Sequence, residues 1–120
     1  MREILLIDDD PVINFIHKKI IESKFPEIPV EILVNGYNAL EYIRKNTKKL
    51  FLIFLDINMP VMNGWEFLDA ISKDSNEYNL TIYILTSSID QADLRKAQEN
   101  ERILSYITKP LTKEVLEKIY

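Results

Sequence analysis

Six consecutive apolar residues, Leu50–Leu55, form the most restrictive feature of the sequence. The run is rich in residues that favour β-strands, and Asp56 follows it directly, with Asn58 and Pro60 close behind. A strand that is apolar at every position is buried on both faces, which is typical of a parallel sheet covered by helices on both sides. Asp56 then stands at the carboxyl end of that strand, where open α/β sheets bind their ligands.

Strand-like apolar runs and helical patterns alternate along the rest of the chain. Val12, Ile16 and Ile20, for example, recur at helical spacing. Asp10 can cap that helix and Pro11 suits its first position. Further strands are predicted at 4–7, 30–34, 81–85 and 103–107. Further helices are predicted after Asn35 and Gly36, around Trp65, from a cap at Asp90 or a neighbouring serine to about Asn100, and at 111–120.

The order of these elements decides the fold class. Strict alternation of strands with helices that are long enough for right-handed crossovers predicts an α/β fold, with a parallel sheet covered on both faces. We therefore expect a doubly wound, five-stranded parallel sheet in the flavodoxin-like (βα)5 arrangement, and we assume the strand order 2-1-3-4-5 that goes with it. In that order the first and third strands are neighbours, so the residues that follow them meet at one edge of the sheet.

Composition excludes several classes of function. The chain has 19 acidic and 15 basic residues, so it lacks the basic surface of a nucleic-acid binder or of a protein that binds anionic membranes. It has no cysteine and one histidine, which excludes a disulfide framework, a thiolate metal site and a histidine-rich metal site. Its start leads into a strand rather than a signal peptide, and no apolar stretch is long enough to span a bilayer. We expect a cytoplasmic protein that binds neither nucleic acid nor membranes directly.

Residues with reactive or charged side chains follow four of the predicted strands. Asp8 and Asp9 follow the first strand, Asp56 the third and Thr86 the fourth, and Lys109 lies just beyond the fifth. Three carboxylates at one edge repel one another unless a cation lies between them. Oxygen ligands without nitrogen or sulfur suit Mg²⁺, with Mn²⁺ as an alternative. The sequence therefore predicts a divalent metal site at this edge of the sheet.

The same groups match the needs of phosphoryl transfer. The hydroxyl of Thr86 and the ammonium of Lys109 can neutralise phosphoryl oxygens, and the Asp56 carboxylate can accept the phosphoryl group as an acyl phosphate. Simpler roles are open for each residue, because an aspartate after a strand is usually a helix cap or part of a turn. Ser87 or Ser88 could share the role of Thr86 if the register were off by one. Together, the groups indicate a phosphoryl site with Asp56 as the nucleophile.

Four short motifs carry these residues. They are the segments 4–11 (ILLIDDDP), 55–64 (LDINMPVMNG), 85–87 (LTS) and 106–111 (YITKPL). Each motif is weak alone, but in this order and at these strand ends they are specific. Through them, essentially the whole chain resembles the receiver domains of two-component response regulators, and among these the single-domain chemotaxis type (CheY-like).

The resemblance implies a protein of a phosphorelay. Asp56 would be phosphorylated by a sensor histidine kinase or by a histidine phosphotransfer protein. Asp8, Asp9, Asp56 and the backbone carbonyl of Asn58 would organise Mg²⁺. The chain would catalyse its own phosphorylation and dephosphorylation without being a turnover enzyme.

The resemblance also implies a conformational switch. Lys109, in a Lys109–Pro110 bond that is cis in receivers, would pair with the acyl phosphate, and Thr86 would hydrogen-bond a phosphoryl oxygen. Tyr106 on the fifth strand would turn inward as Thr86 moves. The face of the fourth helix, fifth strand and fifth helix would report the state to a downstream protein target. We expect residues 1–120 to be a single receiver domain without an output domain.

Two other functions fit less well. Mg²⁺-dependent phosphatases with an aspartate nucleophile carry an Asp-x-Asp motif, whose second carboxylate acts as a general acid. This chain has Asn58 at that position, two residues after Asp56. A pseudo-receiver that only binds other proteins would lack a site residue, and none is missing.

Residues near the motifs are expected to have ordinary structural roles. We expect Trp65 and Phe67 to be core residues, His17 to lie at the surface or its boundary, and Asp10 to be a cap rather than a ligand. Gly64 is expected to supply a backbone conformation that other residues resist.

Overall fold

Five β-strands alternate with five α-helices in the computed structural model, which describes residues 2–120. The strands are β1 (Arg2–Ile7), β2 (Val30–Leu33), β3 (Leu50–Leu55), β4 (Asn79–Thr86) and β5 (Ile103–Thr108). The helices are α1 (Pro11–Lys24), α2 (Gly36–Arg44), α3 (Gly64–Ser72), α4 (Gln91–Glu99) and α5 (Lys113–Ile119). β3 coincides with the apolar run, and the other predicted strands differ by one or two residues at their ends. Within the described residues, no helix combines the length and the apolar character needed to cross a membrane.

The five strands form one parallel sheet in the order β2-β1-β3-β4-β5, which confirms the predicted flavodoxin-like fold. In the register of β1 with β3, Ile7 lies opposite Leu55. The N–H of Asp56 donates to the carbonyl oxygen of Ile7 at 2.9 Å. The residues that follow β1 and β3 therefore begin side by side at the carboxyl edge of the sheet.

β3 is buried on both faces, as its composition predicts. Phe51, Ile53 and Leu55 pack into the cluster under α2 and α3, whereas Leu52 and Phe54 pack into the cluster under α1 and α5. This alternation follows from the period of a strand, in which successive side chains point to opposite faces. Two layers of helices thus shield the central strand from water and hold its last residues in place.

Polar caps begin the helices where the chain leaves the sheet. Asp10 caps α1 through the N–H groups of its first turn, Pro11 opens that helix, and Asp90 caps α4, all as predicted. α5 differs from the prediction, because Thr112 caps it and the helix begins at Lys113, two residues later than predicted. Leu111, expected to be in this helix, lies before it and is buried in the core.

The orientation of α1 contradicts the assignment of His17 to the surface. Val12 and Ile16, which recur at helical spacing, are 66% and 43% exposed, whereas Asn14 and His17 are 2% and 0% exposed. The polar pair faces inward because backbone groups at the end of β1 and after β5 lie beneath this side of α1 and need hydrogen-bond partners. Of the apolar residues at this spacing, Val12 and Ile16 therefore face the solvent, whereas Ile20 is partly buried against the core.

Gly64 is required for a different reason from the one predicted. No glycine in residues 2–120 has a positive φ, so a special backbone conformation does not explain it. A Cβ at this position would lie 2.7 Å from the carbonyl oxygen of Asp56 and 2.8 Å from the Cα of Ile57. The N–H of Gly64 also donates to the carbonyl oxygen of Ile57 at 3.1 Å. Glycine therefore allows the start of α3 to approach the end of β3 closely.

Substituting alanine for Gly64 is expected to destabilise the protein by about 1–3 kcal/mol, because the added methyl group meets backbone atoms that cannot rotate away. Urea denaturation measures the change in the free energy of unfolding. Ser72→Ala, at an exposed position of the same helix, is the control and should change that free energy by less than about 0.5 kcal/mol. Equal stabilities of Gly64→Ala and the wild type would show that the contact is not restrictive.

Candidate functional site

Three carboxylates meet at the carboxyl edge of the sheet. Oxygen atoms of Asp8, Asp9 and Asp56 lie within 4.8 Å of one another. Asp8 and Asp56 are buried and Asp9 is exposed. β1 and β3 bring them together because these strands are neighbours and end at the same level.

The ammonium group of Lys109 faces this cluster from the loop between β5 and α5. Its Nζ atom lies 2.5 Å from Oδ2 of Asp8 and 3.4 Å from Oδ2 of Asp56. Burial alone would lower the pKa of Lys109, but the hydrogen bond to Asp8 and the charge of Asp56 raise it. The Lys109–Pro110 bond is cis. Lys109 is therefore held in its charged form against two of the three carboxylates.

Thr86 lies on the other side of Asp56. It is the last residue of β4, it is fully buried, and its carbonyl oxygen accepts the N–H of Lys109 at 2.8 Å. Burial raises the pKa of the Asp56 carboxyl, while the hydroxyl of Thr86 and the ammonium of Lys109 oppose that rise. The carboxylate at the centre of the site is thus surrounded by one hydroxyl and one cation, both of which stabilise negative charge.

Asn58 lies on the loop that follows β3. Its side chain is exposed, and its N–H donates to Oδ1 of Asp56 at 3.4 Å. The backbone of this residue therefore runs beside the acidic cluster.

The donor set of the cluster fits a divalent cation. Three carboxylates against one ammonium leave an excess of two negative charges in a site that is largely buried. All the ligating atoms that these side chains offer are carboxylate oxygens, which hard cations such as Mg²⁺ and Mn²⁺ prefer.

Tyr106 is connected to Thr86 through Ser88. The hydroxyl of Tyr106 donates to the carbonyl oxygen of Ser88 at 2.9 Å, and the N–H of Ser88 donates to Oγ1 of Thr86 at 3.3 Å. Tyr106 lies partly buried on β5. A displacement of the Thr86 hydroxyl would therefore disturb the segment that holds Tyr106.

Sequence reasoning missed Asp93, which extends this network into α4. Its carboxylate accepts from Oγ of Ser88 at 2.6 Å and from Nε1 of Trp65 at 2.9 Å. An acidic residue in the first turn of a helix is usually explained by the helix dipole, so no local signal distinguishes Asp93. Ser88 lies five residues before it, but Trp65 belongs to α3, and only the fold brings that helix against α4.

The chain matches a known protein family over nearly its whole length. Residues 4–120 match the response regulator receiver domain family. "Probable methanogenesis regulatory protein FilR2" of Methanothrix harundinacea is 31% identical, over 96% of this chain and 76% of that protein. Sensor histidine kinase CheAY of Helicobacter pylori is 29% identical over 97% of this chain, but the chain spans only 14% of that kinase.

Solved structures share the whole fold. A two-component response regulator from Cytophaga hutchinsonii has a TM-score of 0.85 and 29% identity, with 100% of this chain and 94% of that chain covered. The Vibrio cholerae chemotaxis protein CheY4 has a TM-score of 0.78 and 26% identity, with 98% and 94% covered. Receiver domains bind a divalent metal, interact with histidine kinases and downstream effectors, and act in signalling rather than as turnover enzymes. With residues 4–120 matched and a CheY-like fold, the chain belongs to the response regulator receiver domain family.

Proposed function

We propose that Asp56 accepts a phosphoryl group from a sensor histidine kinase or a histidine phosphotransfer protein, in a reaction that requires Mg²⁺. The protein then signals through a conformational change and by docking to a downstream protein. One observation carries the proposal: the buried Asp56 carboxylate lies within reach of two further carboxylates and of the Lys109 ammonium. Such a carboxylate can act as a nucleophile, because the other carboxylates can hold a cation and the ammonium can neutralise phosphoryl oxygens.

In the proposed reaction, an Asp56 oxygen forms a bond to phosphorus while the bond from phosphorus to the donor's imidazole nitrogen breaks. The imidazole leaves with that electron pair and takes up a proton, and Asp56 becomes an acyl phosphate. Lys109 and Thr86 donate hydrogen bonds to the phosphoryl oxygens while the charge on those oxygens changes. The Lys109 ammonium already faces Asp56 before the phosphodonor binds, so it needs little reorganisation.

Asp8, Asp9, Asp56 and the carbonyl oxygen of Asn58 would hold Mg²⁺, or Mn²⁺ in its place. The cation would supply charge neutralisation to the incoming phosphoryl oxygens. The proximity of the three carboxylate oxygens supports this assignment.

Phosphorylation would then act on the network that contains Ser88. An aspartyl phosphate has more negative charge and more acceptor oxygens than a carboxylate, so it draws the Thr86 hydroxyl toward it. Ser88 loses its contact with Thr86 and shifts the segment that holds Tyr106. The surface of α4, β5 and α5 would change as a result and present the signal to its target.

The phosphatase alternative has less support, because position 58 carries an exposed amide instead of a carboxylate that could act as a general acid. A pseudo-receiver role is disfavoured because the acidic, hydroxyl and ammonium groups are all present at the same edge of the sheet.

The proposal is tested by incubating the protein with acetyl phosphate and Mg²⁺ and measuring its intact mass. We expect the mass to increase by one phosphoryl group with Mg²⁺ or Mn²⁺, and not to change when the metal is removed with EDTA. A protein that stays unmodified under all conditions, or that is modified equally in EDTA, would contradict the proposal.

The buried charge of Asp56 is expected to make the stability of the metal-free protein depend on pH. Because burial raises the pKa of Asp56 above its usual value near 4, the native state takes up a proton more readily there than the unfolded chain. In metal-free protein, the stability deficit of the wild type relative to Asp56→Asn should therefore shrink as the pH falls from neutral through that raised pKa, since both proteins share the opposing effect of His17. At neutral pH, Asp56→Asn removes the buried charge and should raise the melting temperature of the protein in EDTA.

Mg²⁺ should raise the melting temperature of the wild type, because it binds the native state and relieves the repulsion among the carboxylates of Asp8, Asp9 and Asp56. The increase should be much smaller in Asp56→Asn. The matched control is Asp10→Asn, which makes the same charge change at an exposed helix cap where asparagine caps equally well. If Mg²⁺ stabilises all three proteins equally, the cation does not bind at Asp56.

A further inference from the structure

Two buried polar side chains on α1 have no part in the proposed reaction. Asn14 and His17 are three residues apart, so they lie on the same face of the helix. Nδ2 of Asn14 donates to the carbonyl oxygen of Asp8 at 2.8 Å. Nε2 of His17 accepts the N–H of Leu111 at 3.1 Å.

Each contact anchors the backbone near one partner of the ion pair between Asp8 and Lys109. Asn14 binds the backbone of Asp8 itself, and His17 binds the chain two residues after Lys109. One turn of α1 thus connects the end of β1 to the loop between β5 and α5. A backbone hydrogen bond from Lys109 to Thr86 also joins this loop to the end of β4.

The hydrogen bond of His17 requires a neutral ring. Because Nε2 accepts a hydrogen bond, it carries no proton, so the proton of the neutral ring is on Nδ1. Burial and the positive charge of Lys109 lower the pKa of His17, while the charge of Asp8 opposes this. The acceptor is therefore available at neutral pH.

Each side chain of the pair also leaves one of its own polar atoms unpaired. Oδ1 of Asn14 and Nδ1 of His17 are buried and have no hydrogen-bond partner among residues 2–120. Such unpaired buried atoms lower stability, and they remain although the other polar atoms of the pair bind the backbone of Asp8 and Leu111. The bonds that the two side chains do make are directed at the backbone on either side of the reactive groups.

We propose that Asn14 and His17 are positioning residues, which hold the Lys109 ammonium over Asp8 and Asp56 for phosphoryl transfer. The inference rests on the proposed function. It predicts that removing the acceptor at His17 misplaces Lys109 while the three carboxylates keep their positions at the ends of β1 and β3.

The test compares His17→Leu with His17→Gln. Leucine has a similar size but no acceptor, whereas the side-chain oxygen of glutamine can accept the N–H of Leu111. With acetyl phosphate and Mg²⁺, we expect the initial rate of phosphorylation to fall about tenfold or more in His17→Leu and to recover in His17→Gln. The Mg²⁺ affinity, measured by calorimetry, should not fall in either variant, because the three carboxylates keep their positions. The amide proton resonance of Leu111 should move upfield in His17→Leu and stay near its wild-type position in His17→Gln.

Three outcomes would overturn the inference. One is a wild-type rate in His17→Leu, and another is an equal loss of rate in the leucine and glutamine variants although glutamine restores the Leu111 resonance. The third is a loss of Mg²⁺ affinity in step with the rate, which would place the effect on the carboxylates. If His17→Leu does not fold, Asn14→Leu replaces it in the test, because this variant removes the hydrogen bond to Asp8. Its phosphorylation rate and Mg²⁺ affinity are measured in the same way, and a wild-type rate would overturn the inference. Failure of the wild type to accept a phosphoryl group would instead overturn the proposed function.

Discussion

Replacing Asp56 with asparagine is expected to abolish phosphoryl acceptance completely. An amide cannot form the acyl phosphate, and no other carboxylate of the cluster is equally placed. The carboxylate of Asp8 forms an ion pair with Lys109, with 2.5 Å between Oδ2 and Nζ, and Asp9 is exposed to solvent. Intact mass after incubation with acetyl phosphate and Mg²⁺ should show one added phosphoryl group in the wild type and none in Asp56→Asn.

Two controls make this result specific. Asp10→Asn makes the same chemical change close to the cluster, and should be phosphorylated at the wild-type rate. The label on the wild type should be lost in alkali, as expected for an acyl phosphate. Labelling that survives in Asp56→Asn would show that the phosphoryl group is carried by another residue, and the assignment of the nucleophile would then be wrong.

Replacing Lys109 with methionine is expected to slow phosphorylation by about a hundredfold. Methionine has a similar length but no charge, so the variant lacks the donor that faces Asp56 at 3.4 Å. Removing one fixed donor that stabilises developing charge typically costs about 10²–10³ in rate. The initial rate with acetyl phosphate at saturating Mg²⁺ measures the effect.

The same substitution should also lower stability when no metal is present, because it leaves the buried carboxylates of Asp8 and Asp56 without their positive partner. Breaking a buried pair on one side typically costs about 3–5 kcal/mol, and Mg²⁺ should recover part of it. Lys109→Arg is the matched variant, since it keeps the charge but changes the shape of the donor. We expect arginine to restore most of the stability and little of the rate. A wild-type rate in Lys109→Met would show that the ammonium does not act on the phosphoryl group.

The strands were predictable because their signal is local. The apolar run at 50–55 coincides with β3, and Asp10 and Asp90 cap the helices that follow β1 and β4, as the sequence indicates. Alternating strands and helices also predict a parallel sheet. The strand order, however, was assumed from the fold class, and the pairing of β1 with β3 had to come from the structure.

The site was predictable to the extent that its residues stand at strand ends. The placement of Asp8, Asp9 and Asp56 within 4.8 Å of one another follows from two neighbouring parallel strands, whose carboxyl ends must meet. Their roles as metal ligands and nucleophile stay predictions. Asp93 was not predictable, because its partner Trp65 comes from a different helix.

α1 shows most clearly where local patterns stop being informative. Its apolar spacing predicts a buried face, yet Val12 and Ile16 are exposed and the inner face carries Asn14 and His17. The sequence by itself determined the class of fold, the positions of the strands and the set of reactive groups, because periodicity and motifs depend on residues that are close along the chain. Only the tertiary structure decided which polar groups face inward, since the hydrogen bond from Leu111 to His17 joins residues 94 positions apart, and no local pattern encodes such a contact.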